Sequence, residues 1–418
     1  MNIESWLEKL PNLPPSISPG DLLSLHSTSP LFQVHRKKRA ISMPPSRQLS
    51  PSKRQRTDVD DSDQRTTNAS EISISDRTKF RSSASNNTSR QTSPARDIFN
   101  QLRLAKPAII CEPQSTGFIP NTVLSLRKRL TDGFGQKVIP RAFESRIRAS
   151  DPAGAEDIPD SAYFDSAHMS DAVIDALWSE IEEVRIEARH CDMFGKDENA
   201  WCLDVVQPVL RSSLKEIPKL RLTNVQSQQI DGGLLPIVRN NLTRINKKAD
   251  YSFSFSCHDP EVYDLYQRVS LGGPGYQISQ TTDAFNKRTI LFSGIEVKAD
   301  DGGKKEALAQ LAIWLSANLE RLVRLGELVK GASVPTDWLV PTIGYTVIGH
   351  DWLTYMAYRV EDEVHIVGPI SSVLVDTRST YGILKLRDLE HRVNEYALSV
   401  YWPWIRTEIL QPLATLDE

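Results

Sequence analysis

Glu296 and Lys298 stand two residues apart in "ILFSGIEVKADDGGKKEALAQLAIWL", at the end of an otherwise apolar, β-like run. Side chains alternate along a strand, so this carboxylate and amine share a face with Gly294 while Ile295 and Val297 take the other. Burying either charge unpaired is expensive, so their presence on a core strand needs a cause. A second acid, Asp250, opens another strand-like run in "KKADYSFSFS". Two carboxylates supply hard oxygen ligands for an ion such as Mg²⁺, which keeps several waters. An ammonium beside them can orient or deprotonate an attacking water and balance phosphate charge. The chemistry this set can do is phosphodiester hydrolysis, with Asp250 and Glu296 as metal ligands and Lys298 as the catalytic amine.

These groups need elements to position them. "DYSFSFS" alternates Tyr251, Phe253 and Phe255 with three serines, which predicts a strand with one buried face, and "TILFSGIEVKA" predicts a neighbouring strand. Ahead of them, Ser170 is a candidate cap for a helix carrying Val173, Ile174, Leu177, Trp178, Ile181 and Val184. Asp197 is the candidate cap of a second helix through "ENAWCLDVVQPVLRSSL", which Pro208 is expected to kink or divide. Glu198 lies in its first turn, where the helix dipole favours a carboxylate. "HDPEVYDLYQRV" predicts a short helix capped by Asp259 with Pro260 at its first position. Leu308, Leu311, Leu315, Leu319 and Leu322 mark a long core helix, three or four further strands follow over 338–375, and a last helix runs through "LKLRDLEHRVNEYALSVY". The order is that of an α/β fold around one mixed sheet.

On these motifs the chain resembles the PD-(D/E)XK nuclease superfamily, and within it the fungal nuclease-like branch. "KKADY" matches the family aspartate at Asp250, and "GIEVK" matches the E-x-K pair at Glu296 and Lys298. "QLAIW" is similar to the Q-x-x-x-Y helix motif, with Gln310 matching and Trp314 in place of tyrosine. Ala249 stands where the family has proline. The resemblance implies a restriction-endonuclease-like core, a mixed sheet flanked by helices, over residues 141–418. It also implies Mg²⁺ (or Mn²⁺) as cofactor, nucleic acid as substrate with DNA ahead of RNA, and contributions from Glu198 and Gln310. A [D/E]-x-K triplet alone is weak, but no other lysine in the chain has an acid two residues before it. Each residue also has a structural reading: an exposed edge-strand ion pair for Glu296 and Lys298, a turn aspartate for Asp250, a helix-dipole carboxylate for Glu198, and a polar network for Gln310.

Residues 1–106 hold 17 Lys+Arg against 10 Asp+Glu, so a basic segment of +7 precedes a body of −10 in a chain of −3 overall. The stretch from Ser42 to Ser93 is too polar to offset the entropy of ordering, and residues 1–140 are expected to form a disordered region opened by a short helix bearing Ile3, Trp6, Leu7 and Leu10. Eight basic residues between Arg36 and Arg56, with no acid among them, fit a bipartite nuclear-import signal read by an import receptor. A solvated tail that holds polyanions weakly fits them too. Cys111, Cys191, Cys202 and Cys257 have no metal or disulfide spacing and suit a reducing compartment. Neither a membrane span nor a secretory signal is expected. "LGGPG" lacks the register of a phosphate-binding loop, the eight histidines contain no H-x-x-x-H pair, and no nucleophile elbow occurs. The basic run Arg239, Arg244, Lys247 and Lys248 could hold a substrate backbone. Two functions therefore stand: a nuclear Mg²⁺-dependent nuclease, and a nuclease-fold protein that no longer cuts and acts as a nuclear binding or scaffold module. The acidic body favours the second reading and the intact acid and lysine set the first.

Overall fold

The computed structural model describes residues 71–73, 94–238, 243–271, 277–335 and 337–416. The apolar stripe at Ile3 to Leu10, the basic clusters from Arg36 to Arg56, Arg239 and the Gly-rich stretch 272–276 lie outside the described residues. The centre is an eight-stranded mixed sheet. In chain order its strands are β1 (Ala108–Glu112), β2 (Leu220–Asn224), β3 (Tyr251–Phe255), β4 (Ser293–Lys298), β5 (Thr342–Ile348), β6 (Asp351–Val360), β7 (Glu363–Val367) and β8 (Val375–Asp376). The spatial order is β1-β7-β6-β5-β4-β3-β2, with β8 on β6. β4 and β5 are parallel, as are β1 and β7, and the other pairs are antiparallel. The expected α/β architecture, a mixed sheet flanked by helices, is the one observed.

Folded structure starts ahead of Arg141. A helix at Pro94–Arg103, strand β1 and a helix at Asn121–Thr131 all precede it, and β1 forms one edge of the central sheet by pairing with β7. The run "AIICE" is only five residues long, and its partner lies some 250 positions away, so it carries almost no local signal. β2 was equally unmarked, although it pairs with β3 over five positions. β3 itself is buried on both faces, not on the one face that its alternation predicts. Its serines are tolerated there because they are bonded: Ser252 Oγ donates to Ser293 O at 2.7 Å, and Ser254 Oγ shares a 2.8 Å bond with Thr223 Oγ1. Beneath β3 lies an aromatic cluster in which Phe253 stacks on Phe292 and Phe255 meets Tyr401 and Trp402.

Five helical segments matter for the site and its support. They are α1 (Asp171–Met193), α2 over 198–212, α3 (Pro260–Leu271), α4 (Lys304–Lys330) and α5 (Thr380–Tyr396). Ser170 sits at the N-cap of α1 but its hydroxyl makes no capping bond, whereas Asp259 Oδ1 accepts from Glu261 N at 3.0 Å at the start of α3. Pro208 opens the last α-helical part of α2, Gln207–Ser212, directly after a break in the α ladder. The turn before it, Trp201–Val206, is a π segment in which Gln207 N reaches back to Cys202 O, which accommodates a proline with no N–H to return to the ladder. The same device recurs after α5, where π segments Ala397–Tyr401 and Arg406–Leu410 precede Pro403 and Pro412.

α4 packs on β4 and β5 because both strands present glycine to it. Gly294 and Gly344 are register partners, and Leu311 and Leu315 of α4 press on both. A Cβ at Gly294 would lie 2.7 Å from Trp314 Cδ1 and 2.9 Å from Leu311 Cδ1. Trp314 cannot swing aside cheaply, since its Nε1 donates to Ser293 O at 2.9 Å. Gly294→Ala is therefore expected to destabilise the fold by about 1–3 kcal/mol through overpacking. Urea unfolding monitored by tryptophan fluorescence would measure it, and an unchanged midpoint would contradict this packing.

Candidate active site

The site forms where β3 and β4 part. The two strands are antiparallel, so the start of β3 lies beside the end of β4, with Tyr251 opposite Ile295. One step earlier, Asp250 N donates to Ile295 O at 2.9 Å, and the Asp250 side chain closes the ladder: its Oδ2 accepts from Val297 N at 2.7 Å. On its other side β4 stays paired to β5 as far as Lys298, opposite Ile348. Glu296 and Lys298 thus stand at a fork, held on one flank and open on the other. The strand is internal, so the edge-strand ion pair is not what these two residues form.

Lys298 Nζ lies 2.7 Å from Glu296 Oε1 and 3.0 Å from Glu198 Oε2. Glu198 arrives from the first turn of α2. Asp197 Oδ1 caps that turn by accepting from Ala200 N at 3.0 Å, and Tyr251 OH donates to Cys202 O at 3.2 Å, tying α2 to β3. Trp201, the next residue of α2 to be fully buried, stands edge-on to His350 at 5.3 Å. Glu198 is therefore more than a dipole-stabilising surface acid. One carboxylate oxygen from each of Glu198, Asp250 and Glu296 lies within 4.8 Å of the others, the one such grouping of metal-ligating side chains among the described residues.

Burial raises the carboxyl pKa of Glu296 well above the ordinary value, with the Asp250 charge adding to the rise and Lys298 opposing it. Asp250 is also raised, again by burial first, while Val297 N–H and Gln226 hold it back. Repulsion between the acids is thus the smaller cause of strain, and desolvation the larger. Burial works to lower the Lys298 pKa, but Glu296 and then Glu198 outweigh it, and the amine stays protonated.

A divalent cation fits this donor set. The ligand atoms are hard oxygens from three carboxylates, and Glu296 Oε2 is buried without a hydrogen-bond partner. Such an atom is costly to leave unmatched, and a cation would satisfy it. Asp250 Oδ1 accepts from Gln226 Nε2 at 3.0 Å, and each of its oxygens keeps a further lone pair.

Gln226 gave no sign in the sequence: it lies in the turn after β2 and reaches Asp250 only because Val225 N bonds Asp250 O at 2.8 Å. The same Nε2 is 3.5 Å from Cys202 Sγ, a buried thiol whose pKa is raised by burial and the nearby acids. Gln310 lies on α4 with its Oε1 buried and without a hydrogen-bond partner.

A family model described as PD-(D/E)XK nuclease superfamily matches residues 148–402, more than half of the chain. The chain belongs to the PD-(D/E)XK nuclease superfamily. A search of curated proteins returned no match. All four cysteines are free, and among the described residues no helix is long and apolar enough to cross a membrane.

Proposed function

We propose that this protein is a metal-dependent nuclease that hydrolyses phosphodiester bonds, with Mg²⁺ or Mn²⁺ held by Glu198, Asp250 and Glu296. The observation that carries this reading is the convergence of three acids from α2, β3 and β4, their oxygens within 4.8 Å, around an amine 2.7 Å from one of them. When bound, the ion supplies Lewis-acid polarisation of a phosphoryl oxygen and a more acidic water. The chain's own groups do the rest. Lys298 orients the attacking water and offsets the negative charge that builds on phosphorus. Asp250 is fixed by Val297 N–H and Gln226, so it does not have to reorganise. As the water oxygen bonds to phosphorus it gives up one proton to solvent, the ester P–O bond breaks, and the departing sugar oxygen takes up a proton from solvent.

DNA is the substrate we place ahead of RNA, and a nuclear location rests on the basic residues between Arg36 and Arg56, charge features of the sequence alone. The acidic body, −10 after residue 106, supports a second reading in which the fold binds partners without cutting. A cleavage assay on single- and double-stranded DNA and RNA, with EDTA, Mg²⁺ and Mn²⁺, separates the two. Metal-dependent cutting lost in Lys298→Ala supports the nuclease. Absence of cutting on every substrate, with metal bound, supports the scaffold.

A further inference from the structure

A second lysine stands just ahead of Asp250 in the chain. Lys247 precedes Asp250 by three residues, in the segment that leads from Thr243–Asn246 into β3, and it is 8% exposed. Its Nζ is 3.8 Å from Glu306 Oε1, in the first turn of α4, the helix that covers β4. Burial lowers its pKa, Glu306 and Glu296 oppose that, and the positive charge of Lys298 adds to it. The ammonium feels the charges of both Glu296 and Lys298, and it pairs with Glu306, which is exposed.

Charge balance gives this placement a use. Three carboxylates, one divalent ion and Lys298 come close to neutral, so the site has no charge left over for an incoming phosphodiester, still less for the extra charge of its transition state. We propose that Lys247 is a phosphate-binding residue of this site, exchanging Glu306 for a backbone phosphate of the nucleic-acid substrate. This rests on the nuclease reading above. Glu306 then acts as one resting partner of the ammonium, which the substrate phosphate, a competing anion, displaces. A compact ammonium on a flexible stem suits that exchange, since it needs no fixed bidentate geometry.

The test uses the full-length protein and a fluorescein-labelled DNA of about 20 nucleotides, single- or double-stranded. Anisotropy is read with Ca²⁺ replacing Mg²⁺, from about 50 to about 200 mM KCl. Lys247→Met should weaken binding about tenfold and lower the slope of log K against log[salt] by about 0.7 to 0.9, the signature of one lost phosphate contact. A purely structural lysine would not move that slope. Lys247→Arg should keep most of both. Glu306→Gln, at an exposed position where folding is safe, should bind DNA about threefold more tightly, because one anion competing for Lys247 is gone. Mn²⁺ affinity by calorimetry should change by less than about threefold in all three variants, since none removes a ligand.

An unchanged salt slope in Lys247→Met, or DNA binding that does not strengthen in Glu306→Gln, would overturn the assignment of Lys247, while wild-type Mn²⁺ binding and cleavage would leave the nuclease reading standing. If Lys247→Met does not fold, Glu306→Gln decides alone. Wild-type protein that binds neither Mn²⁺ nor DNA would overturn both.

Discussion

Glu296→Gln is expected to abolish detectable Mn²⁺ binding and to cut cleavage by at least about 10³-fold, while the protein remains folded. The side chain keeps its shape, but it loses the charge whose unpartnered Oε2 the site leaves for a cation. The loss should come with a change in pH dependence that has a definite sign. The folded-state pKa of Glu296 is raised, so the folded protein holds that proton more tightly than the unfolded chain. Stability of the metal-free protein should therefore fall as pH rises from near the ordinary carboxylate value of 4.5 towards the raised folded value. Asp250, raised from 3.8, acts in the same direction. In Glu296→Gln that fall should shrink, because a group that cannot ionise contributes no slope. A divalent ion needs the ionised form, so its stabilising effect on the wild type should grow with pH, reaching about 2.7 kcal/mol at a hundredfold excess over Kd. Thermal unfolding between pH 5 and pH 8.5, with and without Mn²⁺, measures all of this. A wild-type midpoint that climbs across that range without metal, or a variant that still binds Mn²⁺ as well as wild type, would contradict the assignment.

Lys298→Ala should separate binding from chemistry. In the metal-free protein its ammonium holds Glu296 and Glu198 together, occupying the negative field that a cation would use. Removing it is expected to lower the metal-free melting temperature, because two buried or half-buried acids lose their counter-charge. Mn²⁺ should then bind as tightly as in wild type or a few-fold more tightly, because the ion no longer competes with an ammonium. Cleavage should nonetheless fall by about 10²–10⁴-fold, the usual range for losing a group that moves a proton or stabilises developing charge. The combination is the diagnostic result: the metal retained and the chemistry lost. Calorimetry and single-turnover cleavage on the same preparation would show it. Lost metal binding would instead make Lys298 a structural prop for the acids, and unchanged cleavage would remove it from the reaction.

The sequence alone determined the local parts of this protein. Period-2 alternation marked β3, an apolar run ending in an E-x-K triplet marked β4, and leucines at helical spacing marked α4, because each signal lies within a few residues of itself. Alternation also put Glu296 and Lys298 on one face, and the structure places their side chains 2.7 Å apart. What only the tertiary structure decided is everything that joins distant segments. The register of Tyr251 against Ile295 brings Asp250 to Val297 across 47 positions, and the capped first turn of α2 brings Glu198 to Lys298 across 100. Gln226 and the strands β1 and β2 were invisible for the same reason: such short strands are defined by their partners, not by their own composition. Burial decided the electrostatics as well. A string of residues shows that two acids and an amine can meet, but the depth at which they meet, and hence how far burial raises each carboxyl pKa and which oxygen is left without a partner, is a property of the packed sheet and helices around them.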